Sequence, residues 1–168
     1  DDFVVFELSS FQLWDLDVSP HIAVVLMIEP DHLDTHDSPD DYLAAKANIV
    51  RYQTNEDMVI HHPSNALVAE LIKVSPAKKF PYQTEQGAHI QAGSIVIDGQ
   101  TVCAVDEVGL LGEHNLENIC AAITAVWQLT QDVSAIAEVV KSVTGLPFHT
   151  KKINKKGGVK YFNDSFST

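Results

Sequence analysis

Seven consecutive apolar residues, Ile22 to Ile28, run almost directly into the polar stretch PDHLDTHDSPDDYLAAK at positions 30–46. An unbroken apolar run of this length reads as a strand buried on both faces, the pattern of a parallel sheet with helices on either side. Asp31, His32, Asp34, His36 and Asp37 follow at once, which sets oxygen and imidazole groups just past the carboxyl end of that strand. Ligands in open α/β sheets bind at such strand ends, and these are metal-type donors. From the residues alone, a polar loop capping a helix explains the stretch equally well.

The helix signal itself is clear. Ser38-Pro39-Asp40-Asp41 offers a Ser N-cap, Pro at the first helical position and an acid three residues on, followed by YLAAKANIVRY. The i, i+4, i+7 spacing sets Tyr42, Lys46, Ile49 and Val50 on neighbouring faces and brings Lys46 beside the apolar side. A lysine snorkelling along the core is the plainer reading. A desolvated amine is the alternative: its pKa falls, and it can act as a nucleophile or take up carbon dioxide as a carbamate.

Around this centre the sequence predicts further elements. Phe3 to Leu8 reads as a buried strand ending at Glu7, a carboxylate that is either a surface group or one that holds a cation or hydrogen-bonded partner. Residues 57–60 read as a short strand followed by a turn at His61-His62-Pro63, whose adjacent imidazoles point to opposite sides and are taken as structural. Residues 65–74 form a helix, and 89–105 a peripheral β-hairpin turning at Asp98-Gly99. GEHNLEN at 112–118 opens a long helix with Ile119, Ala122 and Val126 as its buried stripe. Asn115 and Asn118 lie one turn apart there; capping accounts for Asn115 but not for both, and side-chain amides can also hydrogen-bond a planar base. A helix at 133–143, a stop at Gly145-Leu146-Pro147 and a hairpin turning at Gly157-Gly158 complete the chain.

Composition narrows the function classes. Eleven Lys plus Arg against 23 Asp plus Glu leave a net charge of −12, which argues against non-specific nucleic-acid or anionic-membrane binding. Lys151, Lys152, Lys155, Lys156 and Lys160 nonetheless concentrate cations near the end, as a solvated hairpin or a phosphate contact. Cys103 and Cys120 lack metal-type spacing and read as reduced core residues of a cytoplasmic protein. No apolar run reaches the roughly 18–20 residues of a membrane span. The chain opens without Met on a strand-like run, which suggests a piece of a longer protein.

ELSSFQL at 7–13, DHLD at 31–34, YLAAKANI at 42–49, GEHNLEN at 112–118 and NDSFST at 163–168 occur in one order that resembles the Mur ligases, in the form of the branch that adds D-glutamate. The resemblance implies an α/β fold: a three-layer, mostly parallel sheet of the P-loop nucleotide-binding type with a peripheral β-hairpin, truncated before the phosphate loop. Residues 1–146 would be the central ATP-binding domain and 147–168 the start of the C-terminal ligase domain. It implies a monomeric cytoplasmic enzyme that uses ATP and two Mg2+ to join UDP-N-acetylmuramoyl-L-alanine to D-glutamate through an acyl phosphate, in peptidoglycan synthesis and hence cell-wall biogenesis, shape and division. By the same resemblance Glu7 and His32 are metal-site residues, and Lys46 is a carbamylated lysine at the second magnesium. Lys46 and His32 are thus the candidate catalytic residues. Asn115 and Asn118 lie near the adenine and Asp164 near the ribose, while His149 stands where the family has a phosphate-contacting Arg.

Several positions depart from the family pattern. No G-x-x-x-x-G-K-[ST] occurs, so the chain by itself is expected to be inactive. Met27 replaces a usual Asn, Phe148-His149 a usual His-Arg, and Phe166 a usual Lys. His149 lacks the bidentate fork of Arg and is charged only part of the time near neutrality. Two other classes stay open: a metal-dependent hydrolase built on Asp31, His32, Asp34 and His36, and a non-catalytic nucleotide-binding domain of a degenerate ligase.

Overall fold

The computed structural model describes residues 2–29, 36–110 and 112–144, and the backbone of 151–156 and 159–163. Three strands, β1 (Ile22–Val25), β2 (Met58–His61) and β3 (Lys78–Pro81), pair in parallel in the order β1-β2-β3. Parallel neighbours need crossovers. Here they are α2 (Pro39–Arg51), and α3 (Ala66–Leu71) with the 3-10 turn at Ile72–Val74; the short α1 (Ser10–Leu13) precedes β1. Alternate residues face opposite sides of the sheet, so Ala23, Val25 and Val59 pack on α2 and α3 with Val50, Val68 and Leu71. Ile60, Ile22, Met58 and Phe80 face the other side.

That second side is covered by α4 (Glu113–Trp127), α5 (Val133–Ser142) and an antiparallel sheet of β4 (His89–Gln91), β5 (Ser94–Ile97) and β6 (Gln100–Ala104). The result is an α/β architecture with a parallel three-stranded sheet and a small antiparallel one. A separate antiparallel pair, β7 (Lys151–Lys156) and β8 (Val159–Asn163), forms the expected last hairpin. Its turn at Gly157-Gly158 lies outside the described residues. No helix among the described residues is long and apolar enough to cross a membrane.

Local chemistry explains the helix starts. The Ser38 hydroxyl accepts from the Asp41 amide at 3.1 Å with Pro39 in the first turn, and Asn65 and Asp132 cap α3 and α5 in the same way. The α4 start is different: Gly112, at φ 99°, is the N-cap and offers no side chain, so Asn115 is not the cap residue.

Four sequence expectations change. Phe3–Leu8 is not a strand: Phe3, Val4, Val5 and Phe6 are 68–94% exposed, and among the described residues no strand pairs with them. High β-propensity makes a strand only where a neighbour completes the ladder. β1 ends at Val25, short of Ile28. The peripheral hairpin is instead three strands whose Ile95, Val96, Ile97, Val102 and Cys103 are buried. The buried face of α4 is Ile119, Cys120, Ala121, Ile123, Thr124 and Trp127, leaving Ala122 and Val126 exposed.

The missed strand β4 has a specific cause. Asp98 and Gly99 (φ 48° and 71°) make the expected two-residue turn, but Ala92 and Gly93 (φ 48° and 78°) make a second one. Alanine carries no left-handed turn signal, because its Cβ is strained at positive φ. Ala92 is exposed, and replacing it with Asn, which tolerates this conformation, is expected to raise unfolding free energy by about 0.5–1 kcal/mol. Urea denaturation of Ala92→Asn checks this; an unchanged midpoint contradicts the strained turn.

Candidate functional site

The ELSSFQL motif folds as a short extended lead-in followed by α1. Ser9 caps α1, with its hydroxyl 3.4 Å from the Gln12 amide, while the Gln12 side chain accepts from the Ser9 amide at 2.9 Å. Glu7 precedes this turn and is exposed. α1 then lies on α2: the Asn48 amide donates to the Leu13 carbonyl at 2.9 Å and to the Trp14 carbonyl at 3.1 Å, and its oxygen accepts from Arg51 Nε at 2.8 Å. Ser19 continues the junction by donating to the Asn48 carbonyl at 2.7 Å.

A second tie stands at the amino end of the same pair of helices. His36 is 3% exposed, its Nε2 lying 3.0 Å from Ser10 Oγ and its Nδ1 3.3 Å from Asp41 Oδ2. Phe11 and Trp14 stack on its ring at 5.3 Å and 4.7 Å between centroids, and Tyr42 meets it edge-on at 5.2 Å. Both ring nitrogens are engaged, so His36 is not an available metal ligand, in contrast to its place in the hydrolase alternative.

Lys46 lies one turn beyond Tyr42, partly buried, with its Nζ 5.0 Å from the centre of the Tyr42 ring. Glu7 and Lys46 line the same cavity of about 770 Å3, which runs beside β1 between residues 3–8, α2 and the last turns of α4, and is otherwise mostly apolar. Val24, Leu26, Met27, Val126 and Leu129 face into it. Two of the predicted site residues therefore border one cavity, Glu7 from the 3–8 segment and Lys46 from α2.

Asn115 and Asn118 are on the first turns of α4, Asn115 partly buried and Asn118 exposed. Tyr82 relates this region to the end of β1: burial pushes its phenol up to about 12, the nearby Glu117 carboxylate adds to the rise, and a hydrogen bond to the Met27 backbone offsets part of it. The first half of α4 thus borders the carboxyl end of β1, the side of the sheet where such folds bind ligands. His32, His149 and Asp164 lie outside the described residues, as do Asp31 and Asp34.

Other candidates resolve as structural. His62 Nδ1 accepts from the Ser64 and Asn65 amides at 3.2 Å each, and His61 donates to the His62 carbonyl at 3.1 Å, so the adjacent histidines organise a turn. Cys103 and Cys120 are free and buried, and burial pushes the Cys120 thiol up to about 11, far from a reactive thiolate. Among the described residues no group of three or more His, Cys, Asp or Glu side chains is placed to hold a metal ion.

The family described as the Mur ligase middle domain matches residues 1–126. This chain belongs to the Mur ligase family. Over its whole length it is 35% identical to the UDP-N-acetylmuramoylalanine--D-glutamate ligase of Clostridium kluyveri, and over 99% of its length 34% identical to the enzyme of that name from Streptococcus agalactiae. It spans 37% and 38% of those two proteins. Among solved structures, a MurF from Acinetobacter baumannii matches 92% of this chain and 35% of its own with a TM-score of 0.69 at 20% identity. A Mycobacterium tuberculosis folylpolyglutamate synthase complexed with ADP matches 88% of this chain and 36% of its own, with a TM-score of 0.63 at 20% identity. At such identities these two establish the shared fold.

In this Mur ligase chain the sequence motifs did not expose Asn48, Ser10 or His36 as the groups that join α1 to α2. The available signal was a polar Asn48 within the apolar side of YLAAKANIV, a place that is costly without partners. Asn48→Ala strands the Leu13 and Trp14 carbonyls and is expected to cost about 1–3 kcal/mol. Chemical denaturation of the variant measures it, and a loss below about 0.5 kcal/mol would show that water replaces the amide.

Proposed function

We propose that this chain is the central part of an ATP-dependent amide ligase that adds D-glutamate to UDP-N-acetylmuramoyl-L-alanine in the cytoplasm, during peptidoglycan synthesis. The observation that carries the reading is full-length similarity at 33–35% identity to enzymes named for that reaction, spanning the ELSSFQL, DHLD, YLAAKANI, GEHNLEN and NDSFST motifs. The parallel sheet and the presence of Glu7 and Lys46 around one cavity support it. In this reading residues 1–146 belong to a P-loop-type central domain and 147–168 open the next one. The 168 residues alone, lacking a phosphate loop sequence, are inactive.

The residues present fit a magnesium site in their chemistry. Glu7 offers an exposed carboxylate, and Lys46 borders the same space as a partly buried amine. A cationic lysine would repel Mg2+. Its neutral amine can instead add to carbon dioxide, forming an N–C bond and releasing a proton, so that a carbamate anion replaces the cation. Glu7 and His32 would then serve the metal sites and carbamylated Lys46 would help hold the second magnesium, an ion that prefers oxygen ligands and retains waters. When bound, ATP and Mg2+ supply the phosphoryl group that activates the substrate carboxylate and the charge that neutralises the crowded anions.

The chain's remaining candidates orient the nucleotide. Asn115 and Asn118 each carry an amide donor and acceptor suited to a planar base, on helix turns beside the end of β1. Asp164 would accept from the ribose hydroxyls, and His149 would meet a phosphate through one charged nitrogen where Arg offers two. These side chains bind and orient; none has to transfer a proton for the acyl phosphate to form.

In the protein at its relatives' full length, phosphate is expected to be released from ATP only when both the muramoyl substrate and D-glutamate are present, measured by a coupled phosphate assay. Release with neither present overturns the reading. Lys46→Ala in the same protein is expected to abolish ligation, with short-chain carboxylates restoring part of the rate. Unchanged ligation in Lys46→Ala removes the carbamate from the mechanism.

A further inference from the structure

We propose that His36 is a positioning residue that holds the Glu7 segment and the Lys46 helix in register, through a Ser10–His36–Asp41 hydrogen-bond line that is buried at Ser10 and His36 and partly exposed at Asp41. The proposal rests on the reading of Glu7 and Lys46 as metal-site residues. Asp41 as a carboxylate only accepts, so the His36 nitrogen 3.3 Å from it, Nδ1, carries the proton. In the neutral ring Nε2 is then a bare lone pair, and at 3.0 Å it accepts from the Ser10 hydroxyl. One imidazole therefore joins the first residue of α1 to the first turn of α2 with defined direction at both ends.

The placement matters because of what flanks it. Glu7 lies three residues before Ser10, across the Ser9 cap, and Lys46 lies one helical turn after Tyr42, whose ring meets His36 edge-on and has the Lys46 Nζ 5.0 Å from its centre. Asn48 fastens the other end of α1 to α2. The two segments that carry the candidate metal groups are thus tied at two points, and the point nearer to Glu7 is His36.

Two other readings of the cluster fare worse. A Ser, His and Asp in a row is the order of a nucleophilic triad, but Ser10 is 2% exposed and cannot reach a substrate. A purely space-filling ring is the second. Phenylalanine would occupy the same aromatic box without the cost of burying two polar nitrogens, so the imidazole adds the two directed hydrogen bonds, which fix position more than they add packing.

The distinction is measurable with three variants of the protein at its relatives' full length. His36→Phe keeps the stack and loses both bonds; Ser10→Ala removes only the hydroxyl; His36→Gln keeps an oxygen able to accept from Ser10. His36→Phe is expected to melt near the wild type while kcat falls about tenfold to a hundredfold, the range for a mispositioned group, and the half-saturating Mg2+ concentration rises. Ser10→Ala should share both changes, and His36→Gln should recover most of the loss. Wild-type kcat and Mg2+ dependence in His36→Phe overturns the proposal. If His36→Phe does not fold, Ser10→Ala decides alone, with wild-type values counting against it. In the protein at its relatives' full length, nitrogen NMR of selectively labelled histidine is expected to report the Nδ1–H tautomer at His36, and an Nε2–H ring overturns the hydrogen-bond line. A wild-type protein without ligase activity would overturn the functional reading instead, and the tautomer would still test the geometry.

Discussion

The architecture depends on β2 being buried on both faces at once. Val59 and Ile60 are adjacent and both have 0% exposure, yet they belong to different cores, one under α2 and α3 and the other under α4 and the antiparallel sheet. A strand flanked by β1 and β3 on its edges cannot shed either face to solvent without losing several kcal/mol of apolar burial per large side chain. Two covering layers are therefore obligatory. The α2 and α3 crossovers supply one, and the other needs α4, α5 and β4–β6 together.

That second layer explains why α4 buries a wider arc than a single amphipathic stripe. Squeezed between β1 and β2 on one side and β5 on the other, it places Ile119, Cys120, Ile123, Thr124 and Trp127 inward. Thr124 shows how close the approach is: its hydroxyl donates to the Cys120 carbonyl at 2.7 Å and accepts from the Ala88 amide at 2.9 Å, and a Cβ on neighbouring Gly87 would sit 2.6 Å from the Pro81 carbonyl. The same arrangement leaves Val126 and Leu129 facing the cavity beside β1. The shape of the candidate site is thus a by-product of how the cores are filled.

Legibility followed locality. The α2 start could be read because Ser38, Pro39 and Asp41 act within one turn, and the Asp98-Gly99 turn because both residues favour the left-handed region. β3 gave no such signal: Lys78, Lys79 and Pro81 are tolerated because the strand lies on a sheet edge, where a missing donor and charged side chains do no harm. FVVFEL misled in the opposite direction, since the four β-favouring residues Phe3 to Phe6 form no strand without a partner edge. At the site, motif spacing picked out Glu7 and Lys46, while His36 stood out only as one of several polar residues in a loop.

The sequence by itself determined the family, the parallel α/β class and the Ser38 cap of α2, because those are carried by short motifs and by local backbone preferences. Only the tertiary structure decided that Glu7 and Lys46 border one cavity and that His36 is enclosed rather than exposed. It also decided that Asn48 and Ser10 are junction residues and that the second sheet belongs to the core. Each of these is a contact between segments tens of residues apart, with hydrogen bonds such as Asn48 to Leu13 spanning 35 positions. Such contacts depend on which surfaces the cores leave available, and no local pattern encodes that.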